Sequence, residues 1–544
     1  MMTSLLLLAA TYVNPVLHAD FSDPDVCVGG DGKVYLTASS FGGLPGLPIL
    51  SSDDLVNWRY VSYALARHPF ETDAPEHGNA VWAPSLRYRA DKGEYVIYWG
   101  DPDRGAYRVS AKKPEGPWTE PRLVIPAKGM IDVCPLYDDD GRVYLVNGWA
   151  NSRAGMNSVL TVREIDADET REISAPVMVY DGVPDGNFTT EGPKFYKKDG
   201  EYWLWFPAGG VSSGWQVAAR AKSPYGPYET KTVLARGDTA INGPHQGGAV
   251  KVGGSWSFLH FSDRDAYGRV VCLEPMTWEK GAWPVVGDNG KPVEKGPCAV
   301  RQQPFGGLQV SDEFNSTKLG LQWQFLGRSA DQAAWPTPYG YFRLYSTPIR
   351  LGPPASRPHA FFSPSRVRNL WNTPNLMVQK FPAANFTAVL KAQVGAKQDG
   401  EEAGLIVQGR SSARIGLRYH DKVFDVVCTE SPDADRGQSE NDPVVLGTIP
   451  ATVIGAGIRT AQVADVYLKL TVRQSGEKTQ KDQLCPPPLC TFAWSTDNAT
   501  WHTCEATFEA KPGKWIGATF GLYAISEPDC KDRGWLDADW LRVD

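Results

Sequence analysis

Up to about residue 300 the apolar positions fall into short strand-like runs separated by polar turns. Five of them, KVYLTASS, EYVIYWG, RVYLVNGW, EYWLWFPA and SWSFLHFS, carry Tyr or Trp and follow a glycine: Gly32, Gly93, Gly141, Gly200 and Gly254. Period-two or continuous apolar runs of this length, opened by glycine, predict strands entered from hairpins. The glycines are 61, 48, 59 and 54 residues apart, close to the roughly 40 to 50 residues of a four-stranded propeller blade. A second marker keeps the same phase: SSDDLVNW ends at Trp58, AKKPEGPW at Trp118, AKSPYGPY at Tyr228 and LEPMTW at Trp278. Only the third repeat lacks a clear copy of it. The pattern predicts five blades.

In a propeller the innermost strand of every blade faces a common axis. Equivalent positions near the ends of those strands therefore converge, however far apart they lie in sequence. Nine residues before each hairpin glycine stand Asp23, Pro84, Asp132, Glu191 and His245. Three of the five are carboxylates aimed at one axis, where burying unpaired acid is costly. Asp20 and Asp25 are neighbours of Asp23, but only Asp23 is in phase.

Beyond the propeller, expected over 14–300, a short Pro/Gly-bearing linker is expected at 301–309 (RQQPFGGLQ). From Val310 the period is lost. Runs such as FTAVLKAQV, AGLIVQ, VYLKLTV and ATFGLYAI, separated by polar turns, predict a β-sandwich over 310–544. The fold class is all-β. Asp312 and Asp537 are read either as a calcium pair between the first and last strands of the sandwich or as surface residues. Residues 1–13 open with MMTSLLLLAATY, apolar but with no Lys or Arg before the run, and read as a weak leader or the remnant of one.

Composition narrows the partners. A chain of 544 residues exceeds what one core organises, in keeping with two domains. Its net charge of -7 argues against nucleic acid and anionic membrane surfaces, which reward basic patches. No run approaches the roughly 18 apolar residues of a membrane span. Nineteen Trp and 22 Tyr supply faces that stack on sugars as well as core. The nine cysteines are scattered. Only Cys485 and Cys490 form a close pair, suited to a disulfide but to no zinc spacing.

The candidate chemistry follows from the acids. No Ser/His or Cys/His arrangement and no phosphate-binding glycine loop accompanies them. Glycoside hydrolysis needs one carboxylate ionised and one protonated, and a third ionised nearby raises the pKa of the acid by like-charge repulsion. Three carboxylates suit that division.

The stretches NPVLHADFSDPDVC, NAVWAPSLRY, IDVCPLYDDDGRVYLVNG, TTEGPKFYKKDGEYWL, GPHQGGAV and YGRVVCLEPMTW, in this order, resemble glycoside hydrolase family 43, the β-xylosidases and α-L-arabinofuranosidases with a five-bladed propeller. The resemblance extends to SDEFNSTKLGLQWQF and DADWLRVD, similar to that family's C-terminal concanavalin-like β-sandwich. It implies Asp23 as general base, Asp132 as the residue that tunes the acid and orients substrate, and Glu191 as general acid, with inversion at the anomeric carbon. It implies Phe41 and Trp82 as aromatics lining the sugar pocket and Arg269 as a contact to sugar hydroxyls. Phe41 and Trp82 read equally as packing between blades. His245 corresponds to a histidine near the axis that helps hold a calcium ion or a water; its other reading is a hydrogen-bonded core histidine. No cofactor is required for the chemistry. The sequence departs from the family at Asp132-Val133-Cys134-Pro135 and at the insertion LCPPPLC.

The expectation is an exo-acting, secreted or periplasmic enzyme. It releases terminal arabinofuranose or xylose from plant cell-wall hemicellulose or its oligosaccharides. The alternatives are an endo-arabinanase and a carbohydrate-binding propeller without turnover.

Overall fold

The computed structural model of the chain describes residues 10–72, 74–327, 334–351, 368–457, 460–476 and 485–544. Five four-stranded antiparallel sheets follow one another along the first half. Their first, innermost strands are Asp25–Val28, Trp82–Arg89, Met130–Tyr137, Lys194–Lys198 and His245–Val252. The hairpin glycines Gly32, Gly93, Gly141, Gly200 and Gly254 all have positive φ, from 56° to 89°. That conformation explains why glycine recurs there.

The ring is closed by the N-terminal segment. Ala10–Val13 pairs antiparallel with Lys295–Cys298, and the Asn14 side chain is stitched to Leu273 and Val293 of the last repeat. Residues 10–13 of the expected leader are thus an integral strand. Residues 1–9 lie outside the described residues. The expected linker docks on the first blade: its turn Pro304–Gly307 accepts the Trp58 N–H at Gly306 O, 2.7 Å.

The second half is a sandwich of an eight-stranded and a nine-stranded sheet. Its core holds Leu390, Leu405, Leu468, Phe520, Leu522 and Leu536, fully buried. The eight-stranded sheet faces the propeller. Leu44 bridges Phe325, the Lys380 ammonium sits 5.2 Å from the Phe21 ring, and Tyr267 of the propeller joins the sandwich core. Asp312 accepts bonds from Trp323 Nε1 and the Phe314 N–H, and Asp537 pairs bidentately with Arg343, so both carboxylates have structural work. All nine cysteines are unbridged, Cys485 and Cys490 included.

Between the second and third blades one buried carboxylate gathers four donors. Glu169, in the turn after Val159–Ile165, accepts Arg89 Nη1 at 2.6 Å, Arg108 Nε at 2.7 Å, Tyr98 OH at 2.8 Å and Tyr137 OH at 2.9 Å. Burial alone would raise its pKa; the Arg108 bond and charge and the two tyrosines outweigh it and hold the carboxyl below its ordinary value. Removing one partner of such a group strands buried charge. Glu169→Ala is expected to lower stability by about 3–5 kcal/mol, measured by denaturant unfolding, with Asp91→Ala, at the exposed edge of the same cluster, close to neutral.

Candidate active site

The candidate residues sit at the axial ends of the inner strands, and the strands are deformed there. Bulges interrupt the register between Trp82 and Ser85, between Ile131 and Cys134, and between His245 and Gly247. A bulge re-aims the side chains beside it. Asp132, with φ 58°, and Gln246, with φ 36°, lie inside two of these bulges, and Asp23, with φ 54°, precedes the first inner strand. Phe41, Thr189 and Trp515 also have positive φ. Each such non-glycine residue costs about 1–3 kcal/mol. Six of them line one cavity.

That cavity, about 320 Å³, is walled by Asp23, Asp132, Glu191, Arg269, Phe41 and Trp82, together with Thr189, Gln246 and Trp515. Its size is that of a small-ligand site. All six residues expected to catalyse or to bind substrate therefore share one space. His245 lies immediately behind it, fully buried, with Nε2 3.5 Å from Glu191 Oε1. Pro84, the equivalent position in the second blade, contributes only its carbonyl, which accepts Lys194 Nζ at 2.8 Å.

The three acids stand in different surroundings. Asp23, 6% exposed, accepts Arg269 Nη1 at 3.0 Å on one oxygen and Ser39 Oγ at 2.6 Å on the other. Ser39 Oγ in turn accepts the Ala83 N–H, fixing the hydroxyl. Asp132 accepts the Gly192 N–H at 2.7 Å. Burial pushes Asp132 up to about 7; the Gly192 bond opposes this, and the charge of Asp23 adds to it. Burial, then the charges of Asp132 and Asp23, push Glu191 up to about 8. Two acids this close relieve their repulsion by keeping a proton. The Gly192 bond favours the ionised form of Asp132, and Glu191 receives no such bond among the described residues, so the proton resides on Glu191. The Glu191 side chain is also 33% exposed, toward the cavity, where it can deliver that proton.

His245 is held neutral: burial, then the positive charge of Arg269, lower its pKa well below 6.5. Both ring nitrogens lack a hydrogen-bond partner among the described residues. Nor do three or more His, Cys, Asp or Glu side chains group into a metal-holding set among the described residues. Calcium takes six to eight oxygen ligands, and of the groups here His245 would offer it a nitrogen and Glu191 a carboxylate.

Three features escape a reading of the repeat. Trp515 comes from the sandwich, on the loop before Thr519–Ser526, and stands edge-on to Trp82 at 6.2 Å. It faces the Arg269 guanidinium at 5.9 Å. Asp20 holds that loop in place: Oδ2 accepts the Gly517 N–H at 3.1 Å, and Oδ1 accepts the Arg269 N–H and Ser22 Oγ, each at 2.9 Å. Gly517 must be glycine, since a Cβ there would lie 2.7 Å from Gly268 N. Gln246 packs on Gly192, beside the acids.

A strained, acid-lined cavity at the axis of a five-bladed propeller, walled on one side by a second domain, defines a class of carbohydrate-cleaving hydrolases. Comparison with known proteins agrees. The profile of Glycosyl hydrolases family 43 matches residues 12–284, and that of the Beta xylosidase C-terminal Concanavalin A-like domain matches residues 311–544. A putative beta-xylosidase of Xylanibacter ruminicola is 39% identical over 58% of each chain. A non-reducing end alpha-L-arabinofuranosidase of Bacteroides ovatus is 31% identical, over 86% of this chain and 90% of that protein. The structure of a xylan beta-1,4-xylosidase from Bacillus halodurans shares the fold, with a TM-score of 0.78, 22% identity and coverage of 98% and 99% of the two chains. The chain belongs to glycosyl hydrolase family 43 and is a glycoside hydrolase.

Trp515 gives a test of the shared wall. Trp515→Ala is expected to leave the unfolding midpoint nearly unchanged, because the side chain is 44% exposed. It should raise KM for oligosaccharides by roughly tenfold with kcat little altered, the pattern of lost uniform binding. A fall in kcat with KM unchanged would contradict a binding role.

Proposed function

We propose that the protein is an exo-acting, inverting glycosidase that releases terminal α-L-arabinofuranose or β-D-xylose from plant hemicellulose and its oligosaccharides. The observation that carries the mechanism is the placement of three acids around one cavity in unlike surroundings, Asp23 on Arg269 and Ser39, Asp132 on the Gly192 N–H, and Glu191 open to the cavity. Asp23, paired with Arg269 and Ser39, is the general base that takes a proton from water. Glu191, holding its proton up to about pH 8, is the general acid that protonates the departing glycosidic oxygen. Asp132 keeps that proton on Glu191 by its own charge and orients the sugar. Arg269 positions Asp23 and reaches sugar hydroxyls; Phe41 and Trp82 offer faces to the ring.

The exo reading rests on the wall that Trp515 builds, which leaves room for a chain end rather than a groove for an internal bond. The sugar class rests on relatives named for xylose and arabinofuranose release. Export to the periplasm or medium fits a polymer substrate. Among the described residues no helix is long and apolar enough to cross a membrane. The weak leader neither adds to nor detracts from this.

Proton NMR of the products from arabinoxylan oligosaccharides reads the sugar and its anomer together. The expected first product is arabinose or xylose with the configuration opposite to that of the cleaved bond. Retained configuration overturns the roles of Asp23 and Glu191, and binding without release supports the carbohydrate-binding alternative.

Two substitutions divide those roles. Glu191→Gln is expected to lower kcat at least about 10²-fold on natural oligosaccharides, and far less on substrates with activated leaving groups. Asp23→Asn should abolish both, because water must be activated in either case. The activity of the unaltered enzyme should fall as pH rises through about 8, where Glu191 loses its proton. An alkaline limb unaffected by Asp132→Asn would contradict the coupling between the two acids.

A further inference from the structure

The nine-stranded sheet of the sandwich carries a second groove, on the face turned away from its core. Along Phe386–Ala396 the side chains alternate: Leu390 and Ala392 enter the core, while Lys391 and Gln393 point outward. Across the ladder Lys391 stands opposite Tyr467 on one side and Trp540 on the other, and Gln393 opposite Asp465 and Asp537. The Tyr467 and Trp540 rings lie 6.0 Å apart. A turn beside the sheet raises Tyr339 and Tyr341, stacked at 6.3 Å, so that sheet and turn enclose about 580 Å³. Tyr339 is 80% exposed.

Both cations of this groove are paired within it, and its three carboxylates leave one negative charge in excess. Lys391 pairs with Asp539 at 2.5 Å, Arg343 takes both oxygens of Asp537, and Gln393 Nε2 donates to Asp465 at 3.0 Å. With its cations neutralised, the groove holds nothing that would draw phosphate or another anion. What it offers is aromatic faces interleaved with fixed donors and acceptors. That combination suits a ligand with apolar ring faces and hydroxyl edges, which is a sugar chain. The groove is larger than the catalytic cavity, and it lies on the sheet opposite the one that meets the propeller.

We infer that this outer face binds a neutral polysaccharide chain and holds polymer on the enzyme away from the catalytic cavity. The choice of hemicellulose as that chain rests on the glycosidase reading; the groove itself does not. The test is native affinity electrophoresis of the full chain in gels containing soluble arabinoxylan, in the Glu191→Gln background so that the polymer is not cut. Adding Tyr339→Ala and Tyr467→Ala is expected to weaken retardation at least about tenfold. The same pair in the otherwise unaltered enzyme should leave 4-nitrophenyl glycoside hydrolysis within about twofold. Tyr339→Ala alone, at an exposed side chain, should weaken retardation in the same direction with the fold intact. Equal retardation with and without these substitutions overturns the inference. Retardation that depends on the tyrosines, in a protein inactive on both arabinofuranoside and xyloside, would uphold the groove and overturn only the proposed sugar specificity of the active site.

Discussion

Beneath the catalytic cavity the Asp25 carboxylate, with no exposed surface, ties the propeller together at its axis. It accepts Arg87 Nη1 at 2.7 Å and the Leu86 N–H at 2.8 Å from the second blade, and faces Lys194 Nζ of the fourth at 3.7 Å. Lys194 reaches back to Pro84 O and Ser85 Oγ. Arg87 also donates to Cys134 Sγ of the third blade, which accepts the Phe195 N–H of the fourth. Both bonds to Asp25 fall on Oδ2, while Oδ1 has no hydrogen-bond partner among the described residues, so the Arg87 and Lys194 charges are what offset the burial of this carboxylate. The members of the group come from four blades, so it forms only when those four blades are assembled. Its members stand two or three residues beyond the acids of the cavity: Asp25 after Asp23, Cys134 after Asp132, Lys194 after Glu191. The hub fixes the strand ends, and the strand ends fix the carboxylates.

This arrangement explains what the sequence showed and what it did not. The hairpin glycines are punctuation imposed by backbone conformation, so counting from them places Asp23, Asp132, Glu191 and His245 at one area without any tertiary information. The count selects Asp23 over Asp25 because only Asp23 is in phase; Asp25 turns out to serve the hub instead. Cys134, noticed only as a departure from the family, has its reason there too. Periodicity could not reveal the bulges at Ile131–Cys134 and His245–Gly247, since a bulge changes direction without changing composition. Nor could it bring Trp515 to the cavity, because that depends on docking between domains. A signal existed in part: Trp515 follows KPGK and precedes Ile516-Gly517, a turn-rich stretch outside any strand pattern.

The docking of the two domains is itself part of the site. Asp20 bonds the Arg269 and Gly517 N–H groups with one carboxylate, so the propeller loop that presents Arg269 and the sandwich loop that presents Trp515 share an anchor. Arg269 then passes that placement to Asp23. The base, the arginine that holds it and the wall of the cavity are thereby set relative to one another. Strain at Asp23, Asp132 and Gln246 persists because the hub below and the docked loop beside them over-determine their backbone.

The division of labour among the three acids depends on where their shared proton resides. Titrating the carboxyl carbon of Glu191, by ¹³C NMR of selectively labelled protein, reads this without reference to any substrate. The arrangement of the three acids predicts a midpoint near 8, falling in Asp132→Asn as the neighbouring negative charge is lost. A Glu191 midpoint near its ordinary 4.5, unmoved by that substitution, would contradict it.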